Sequence, residues 1–207
     1  MRYSETHKTQ THEQLVQIAG RALREKGPDG VSVADVMQAA GLTHGGFYAH
    51  FKSKDALMIE ALKAIFVRAR EKVRLVTEGL PPRHALAAYI DFYVAERHRD
   101  FPANGCALTA LNSDMPRQSK EFRKVFNTGV QSLVDVLAYW IAASGMKNPQ
   151  SPEKLASSIL SAMMGAVALS RAVTDRQLSD ELLESARTSI KARIGVDDAS
   201  LSREAVQ

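Results

Sequence analysis

The fold is decided by Ser32–Leu57, which reads SVADVMQAAGLTHGGFYAHFKSKDAL. Two short helical patterns in this stretch are separated by a turn at Gly41, and an apolar residue, Phe47, follows six positions later. Ser32 and Thr43 are residue types that cap helix N-termini, and each stands directly before one of the two patterns. Two short helices joined by a tight turn are typical of a helix-turn-helix.

Outside this stretch, apolar residues recur every three to four positions, which is the period of a helix. Upstream, a helical face over 15–23 ends at the Gly and Pro residues within 26–30. Downstream, we expect a long helix from Ser53 to about Thr77. Further helices are expected at about 83–97, 104–114, 118–144, 151–174 and 179–193. No segment alternates like a strand. The sequence therefore predicts an all-α chain with a helix-turn-helix domain at 1–55 and a helical domain at 56–207.

The composition excludes several classes of protein. Of 207 residues, 45% are hydrophobic and 24% are charged, which is close to the globular average. The single cysteine, Cys106, excludes an intramolecular disulfide framework and a Cys-rich zinc module. The longest apolar run, 162–169, is too short to span a membrane, and the polar N-terminus lacks the apolar core of a secretory signal. We expect a soluble, cytoplasmic protein without a membrane partner.

The net charge of +4 permits an acidic partner such as nucleic acid without establishing one. Residues 1–55 carry seven basic and six acidic side chains, and the remainder carries twenty and seventeen. The counts therefore show no basic arm, and a phosphate-binding face must come from spatial arrangement.

Other site chemistries find little support in the sequence. The six histidines lack the spacing of metal ligands, and no glycine-rich phosphate loop is present. Cys106 with His98 and Asp100 would be the nucleophile set of a thiol enzyme, but nothing in the sequence supplies an oxyanion site. We predict no catalytic residue, no metal and no cofactor.

The second helix of the helix-turn-helix carries residues suited to DNA. Thr43 and His44 would lie at its N-terminus, where side chains face base edges or phosphates. Gly45 and Gly46 are poor helix formers, and close approach of the backbone to DNA would favour them. Tyr48 offers a hydroxyl group to a phosphate.

Two lysines extend this surface, since Lys52 and Lys54 stand at the start of the long helix, where Lys54 can reach the DNA backbone.

A purely structural interpretation of the same stretch stays open. Many helix-turn-helices occur in all-α proteins that never touch DNA, and the two glycines could merely relieve packing against the preceding helix. Phe47 and Phe51 are expected in the core.

The stretch around Phe47-Tyr48-x-His50-Phe51-x-x-Lys54 resembles the N-terminal domain of TetR-family transcriptional repressors, and the resemblance covers about residues 10–65. It implies a three-helix DNA-binding domain, a divergent C-terminal domain for ligand binding and dimerisation, and a homodimer on double-stranded, palindromic operator DNA. Thr-His-Gly-Gly stands at 43–46 where many members have Ser/Thr-Lys-Gly-Thr, a departure that concerns base specificity and not the fold. From the resemblance and the local chemistry together, the predicted DNA-binding residues are Ser32, Thr43, His44, Gly45, Gly46, Tyr48, His50, Lys52 and Lys54.

The penultimate predicted helix is rich in small residues between Ser157 and Ala168. Small side chains let helices approach closely, which suits a two-fold, four-helix interface with the last helix. A tightly packed intramolecular pair is the alternative.

Aromatic and sulfur-containing residues gather between 89 and 164. At helical spacing most of them are expected in the core, while the resemblance implies a cavity that a subset would line. His98 is a further candidate polar group for such a cavity. The predicted ligand-binding residues are Tyr89, Phe92, Tyr93, Phe101, Cys106, Asn112, Phe126, Trp140 and Met163.

Cys106 has two interpretations. It lies near a predicted helix N-terminus and close in sequence to His98 and Arg99, which is typical of a reactive thiol that senses electrophiles or oxidants. An inert buried thiol is the alternative.

The sequence thus predicts a DNA-binding regulator, a repressor released by an apolar or thiol-reactive small effector. A helical adaptor or a thiol enzyme with a structural helix-turn-helix is the rival hypothesis, and an activator is a third.

Overall fold

The chain is helical in the part that its computed structural model describes, residues 5–146 and 150–196. The α-helices of this part are α1 (Glu5–Lys26), α2 (Val33–Ala39), α3 (Lys54–Thr77), α4 (Pro82–Tyr93), α5 (Glu96–Asp100), α6 (Ala107–Leu111), α7 (Lys120–Ala143), α8 (Pro152–Ala172) and α9 (Arg176–Arg193). Short 3-10 helices lie at His44–Ala49, Pro102–Asn104 and Met115–Arg117. The described ranges contain no β-strand. The predicted fold class is confirmed.

Three predicted helix starts are confirmed by their capping bonds. In each, a serine hydroxyl accepts a hydrogen bond from the backbone N–H three residues on: Ser32 from Asp35 (3.0 Å), Ser53 from Ala56 (3.1 Å) and Ser151 from Lys154 (3.4 Å). These bonds satisfy amide groups that a helix leaves unpaired in its first turn. At the other end of α2, Gly41 adopts a left-handed φ of 71°, which a side chain would disfavour.

Two other predicted boundaries are wrong. The helix expected over 83–97 is two helices, because Val94 leaves the helical conformation with ψ at 61° and no Gly or Pro marks the break. The last helix starts at Arg176, capped by Asp175, and not at Ser179. The prediction relied on serine being a common capping residue. In the structure, Ser179 is buried within the helix and bonds Arg99 and Ser170 instead of capping a helix start.

The helices expected over 104–114 and from Gln118 are also shorter than predicted. α6 covers five residues, and the Met115–Arg117 3-10 helix separates it from α7, which starts at Lys120.

The first of two compact units consists of the chain up to Ala69 together with Pro102–Thr128. Its apolar core joins α1, α2, the His44–Ala49 helix and the first part of α3. Buried side chains from α6 and α7, among them Leu111 and Phe122, belong to the same core. The predicted boundary after residue 55 does not coincide with an edge of this unit, and which stretch serves which function stays a prediction.

The second unit comprises Arg70–Phe101 and the chain from Gly129 onward. Tyr89 on α4 is buried here, with its ring centroid 5.9 Å from that of Tyr93 and 5.7 Å from that of Trp140. α8 and α9 pack against each other along their length, with Leu183 and Ile190 of α9 buried.

A buried arginine fastens α5 to α9 inside this unit. Arg99 is only 5% exposed, and its guanidinium donates to Asp100 (2.7 Å), Ser179 (2.9 Å) and Asp180. Ser179 in turn donates to the carbonyl oxygen of Ser170 on α8 (2.7 Å). Because a buried guanidinium is costly without partners, this arrangement fixes the short α5 against both long helices.

Among the described residues, α8 is long and apolar enough to cross a membrane by length and composition alone. Core helices of soluble proteins meet the same criterion. Leu155, Ile159, Met163 and Val167 on one side of α8 are all buried in the second unit, as in a core helix.

Candidate nucleic-acid interface

The His44–Ala49 helix is fixed to the first unit by one buried aromatic side chain. Phe47 is 1% exposed and stacks on Phe51, with 5.7 Å between the ring centroids. Phe51 stacks in turn on the imidazole of His12 in α1, at 4.4 Å. The prediction that both phenylalanines are core residues is confirmed, and the helix presents its other side to solvent.

The solvent side carries the residues predicted to meet DNA. Thr43, His44, Gly45 and Tyr48 are exposed, and 71% of Tyr48 is accessible. The prediction that Thr43 caps this helix is wrong in its chemistry: Thr43 occupies the N-cap position, but its side chain makes no capping bond. The helix is also a 3-10 helix, narrower than an α-helix, which suits entry into a groove about 12 Å wide.

Gly45 and Gly46 have no structural reason to be glycine. Neither adopts a positive φ. A Cβ atom on Gly45 would meet nothing within 4 Å, and one on Gly46 would lie 3.5 Å from the flexible end of Met37, an ordinary contact. The packing interpretation of these glycines therefore lacks support. Because the two glycines have no side chains, they leave the backbone of this helix uncovered, and an external molecule can approach it closely.

Three further predicted residues flank this helix on both sides in sequence. Ser32 is exposed, and because its oxygen accepts the capping bond from Asp35, its hydroxyl hydrogen stays available for a phosphate oxygen. Lys52 is exposed, and the half-buried Lys54 is the first residue of α3. Cationic and hydroxyl groups of this kind are the usual donors to the DNA backbone.

His50 closes the helix as a half-buried neighbour of α1. Burial, followed by the positive charges of His12 and Lys8, lowers the pKa of His50 below its ordinary value. Within the described residues its Nδ1 atom is buried without a hydrogen-bond partner, while His12 Nε2 lies 2.7 Å from Glu60 of α3. The arrangement favours a neutral imidazole at His50, so any bond to phosphate would come from an N–H group and not from a cation. The His12–Glu60 pair was not identified in the sequence, where the two residues stand 48 positions apart.

Two family models match the chain. Residues 15–61 match the bacterial regulatory proteins of the tetR family, and residues 82–184 match the C-terminal domain of LmrA/YxaF-like transcriptional regulators. The chain belongs to the TetR family. The first match contains the whole helix-turn-helix, including every predicted DNA-binding residue.

Curated relatives and solved structures agree with this TetR assignment. The chain is 29% identical to the regulator YerO of Bacillus subtilis (strain 168) over 55% of its length and 39% of YerO. It is 21% identical to the repressor DhaR of Mycobacterium sp. (strain GP1) over 85% of its length and 90% of DhaR. The crystal structure of reduced E. coli NemR has the same fold, with a TM-score of 0.78 at 19% identity, over 88% of this chain and 96% of that one. The match to YerO thus spans less than half of that relative.

The residues predicted to bind an effector in this TetR-family chain do not fall in one unit. Cys106, Asn112 and Phe126 belong to the first unit, and the other six belong to the second. The second unit brings together Tyr89, Phe92, Tyr93 and Trp140 as neighbouring rings. Met163 is fully buried there, whereas Phe101 is 60% exposed and Asn112 is exposed.

Cys106 of this TetR-family chain stands at the N-cap position of α6, half-buried in the first unit. Arg24 on α1 donates from Nε (2.6 Å) and from Nη2 to the carbonyl oxygen of Ala103, three residues before the cysteine. Burial and Arg68 lower the pKa of Arg24 to about 10, while the negative charge of a Cys106 thiolate acts in the opposite direction. The thiol therefore lies near a cationic side chain of α1, a contact that the sequence alone did not indicate.

Proposed function

We propose that this chain is a dimeric, effector-responsive transcriptional repressor that inserts its His44–Ala49 helix into the major groove of a palindromic operator half-site. The observation that carries the proposal is the bare Gly45–Gly46 face on a helix held down by Phe47. Family membership supports DNA regulation, and DhaR, which aligns over most of both chains, is named a repressor. We propose no catalytic role, and we expect the protein to act in the cytoplasm.

Each predicted contact has a distinct part in this proposal. Thr43 and His44 face base edges. The Thr43 hydroxyl group, which makes no helix-capping bond, and the His44 imidazole can each donate or accept a hydrogen bond there. Tyr48, Lys52 and Lys54 donate to phosphates and thereby set the register of the helix in the groove. Ser32 and His50 add neutral donors to the same backbone.

The dimer forms through α8 and α9. The exposed or half-exposed side of α8 carries Ser157, Ser161 and Gly165, and neighbouring α9 exposes small and polar side chains. Small residues permit the close helix approach of a four-helix interface. Two copies related by a two-fold axis would present their helices to half-sites about 34–36 Å apart.

The effector is a small apolar or thiol-reactive compound. The ring cluster of Tyr89, Phe92, Tyr93 and Trp140 supports an apolar ligand in the second unit. Cys106 supports an electrophile or oxidant, since a half-exposed thiol beside a guanidinium has the environment of a reactive cysteine.

The test is fluorescence anisotropy of the purified protein against labelled DNA from its own upstream region, at two salt concentrations and with excess nonspecific competitor. Tight binding that resists competitor is the expected result. A selection from a random duplex library follows if the upstream region does not bind. Failure of both to yield a specific site would overturn the proposal in favour of a helical adaptor or thiol enzyme.

A further inference from the structure

The start of α7 carries a local excess of positive charge. Residues 117–124, RQSKEFRK, include four basic side chains and one acidic one, although the whole chain has a net charge of only +4. Lys120, Arg123 and Lys124 are exposed, and we call these three the α7 basic cluster. In the described part of the chain, the charged groups of these three residues make no ion pair, whereas Arg117 is paired with Asp114 at 2.8 Å.

The α7 basic cluster is anchored beside the first turn of α3. Ser119 caps α7 by accepting the N–H of Phe122 at 3.3 Å, and its own hydroxyl donates to the carboxylate of Asp55 at the same distance. Asp55 follows Lys54 directly, so α7 begins next to the lysine predicted to hold the DNA backbone. Both residues of this contact belong to the first compact unit.

The opposite side of α7 fixes which way the cluster faces. Phe122 is 1% exposed and lies in the core of the first unit, with Val125 and Phe126 packed on the same core. In a helix of 3.6 residues per turn, positions 120, 123 and 124 lie on the far side from 122, 125 and 126. The three cations are therefore held on the outer surface of the unit that contains the helix-turn-helix.

We propose that the α7 basic cluster binds the phosphate backbone of operator DNA beside the half-site that the His44–Ala49 helix reads. This inference rests on the proposed function, because it requires that helix to lie in the major groove. Cations facing a duplex replace condensed counterions and raise affinity without reading sequence. The cluster thus adds affinity from flanking DNA, and sequence preference stays with residues 43–48.

The experiment compares wild type with Arg123→Gln and with the double variant Lys120→Gln/Lys124→Gln. The probes are a selected operator duplex trimmed to its two half-sites and the same duplex with flanking base pairs on each side. Affinity is measured by anisotropy at about 50 and about 200 mM salt, where each lost phosphate contact lowers the salt slope by about 0.9. Arg70→Gln, an exposed arginine of α3 in the second unit, is the matched control.

We expect Arg123→Gln to remove about one phosphate contact per subunit and to weaken binding to the flanked duplex about tenfold at the lower salt concentration. Its sequence preference in the random-library selection should stay that of wild type, and Arg70→Gln should match wild type throughout. Equal affinity and salt slope for wild type and both cluster variants would overturn this inference while leaving the proposed function intact. Absence of specific binding by the wild type would overturn both, and circular dichroism melts identify any variant that fails to fold.

Discussion

Gly45 is a residue whose identity the protein's own packing leaves unexplained. Open space lies where its side chain would be, and its backbone conformation is open to any residue. Gly41, four positions earlier, is the contrasting case, because its φ of 71° is left-handed. The fold requires a glycine at Gly41 and does not require one at Gly45.

Gly45→Ala should therefore separate stability from DNA binding. The free energy of unfolding should stay equal or rise by about 0.5–1 kcal/mol, because alanine loses less conformational freedom on folding. Operator affinity should fall at least about tenfold, since a lost base-edge contact is worth about 1–3 kcal/mol. Urea unfolding and anisotropy measure the two effects, with Gly41→Ala as the control that loses about 1–2 kcal/mol of stability. Unchanged operator affinity in Gly45→Ala would contradict the assigned role.

Tyr48→Phe removes a hydroxyl group and keeps the ring that packs edge-on against Phe47 at 5.3 Å. We expect folding to be unaffected and operator affinity to fall about tenfold, because a hydrogen bond to a charged phosphate is worth about 1.5–3 kcal/mol. Tyr139→Phe is the matched control, since Tyr139 on α7 is 66% exposed but lies in the second unit. Equal affinities for the two variants would remove Tyr48 from the set of contacts.

At the scale of elements, α5 shows what a sequence pattern cannot provide. Serine caps at 32, 53 and 151 were readable because the capping bond spans three residues. The start of α9 carries the same local signal, because Asp175 accepts the N–H of Leu178 at 3.1 Å, but the sequence prediction placed the cap at Ser179, which is buried and bonds Arg99 instead. The break at Val94 has no Gly or Pro to mark it. Local chemistry thus marks a capped helix start, but it does not distinguish a capping side chain such as Asp175 from a nearby serine whose partners are distant in sequence.

His98, also on α5, makes this element sensitive to acid. Its Nδ1 bonds the carbonyl oxygen of Tyr93 at 2.7 Å, and burial lowers the pKa of His98 to about 4. The Tyr93 carbonyl opposes the shift, and the cations Arg171, Lys72 and Arg97 add to it. Because the unfolded imidazole has a pKa near 6.5, stability is full above about pH 6.5 and is lost as the pH falls toward 4.

We predict that the free energy of unfolding falls by about 2 kcal/mol between pH 7 and pH 5 through this one group. His98→Asn, which keeps a donor for the Tyr93 carbonyl, should remove that part of the pH dependence. His98→Lys should be less stable at both pH values. Urea unfolding at fixed protein concentration measures all three proteins, and an unchanged difference for His98→Asn would assign the pH dependence elsewhere.

At the scale of the whole molecule, the two compact units are interleaved along the chain. The helix-turn-helix was recognisable because Phe47, Tyr48, His50 and Lys54 lie within eight residues. The sequence did not show that residues 102–128 complete the same unit, because Leu111 and Phe122 are far along the chain from the rest of the core that they join. The cysteine therefore lies in the unit that contains the helix-turn-helix, and not among the rings of the second unit.

This placement gives a direct prediction for thiol chemistry. N-ethylmaleimide should weaken operator binding by wild type, because adding a group at Cys106 disturbs the loop whose Ala103 carbonyl holds Arg24 of α1. Cys106→Ser should bind the operator like wild type and lose the response. A response retained by Cys106→Ser would exclude the sensor role, and alkylation of wild type without loss of affinity would identify an inert thiol.

The exposed side of the His44–Ala49 helix, opposite the buried Phe47, has an evolutionary consequence. Residues 43–46 and 48 take little part in the packing that stabilises the first unit, so selection can exchange them with little loss of folding. On the proposed function, new operator sequences are then reached by single substitutions on a scaffold that stays intact, and duplicated genes of this kind can diverge rapidly in the promoters they control. On the same proposal, grafting residues 43–48 between members is a practical route to regulators with chosen operators.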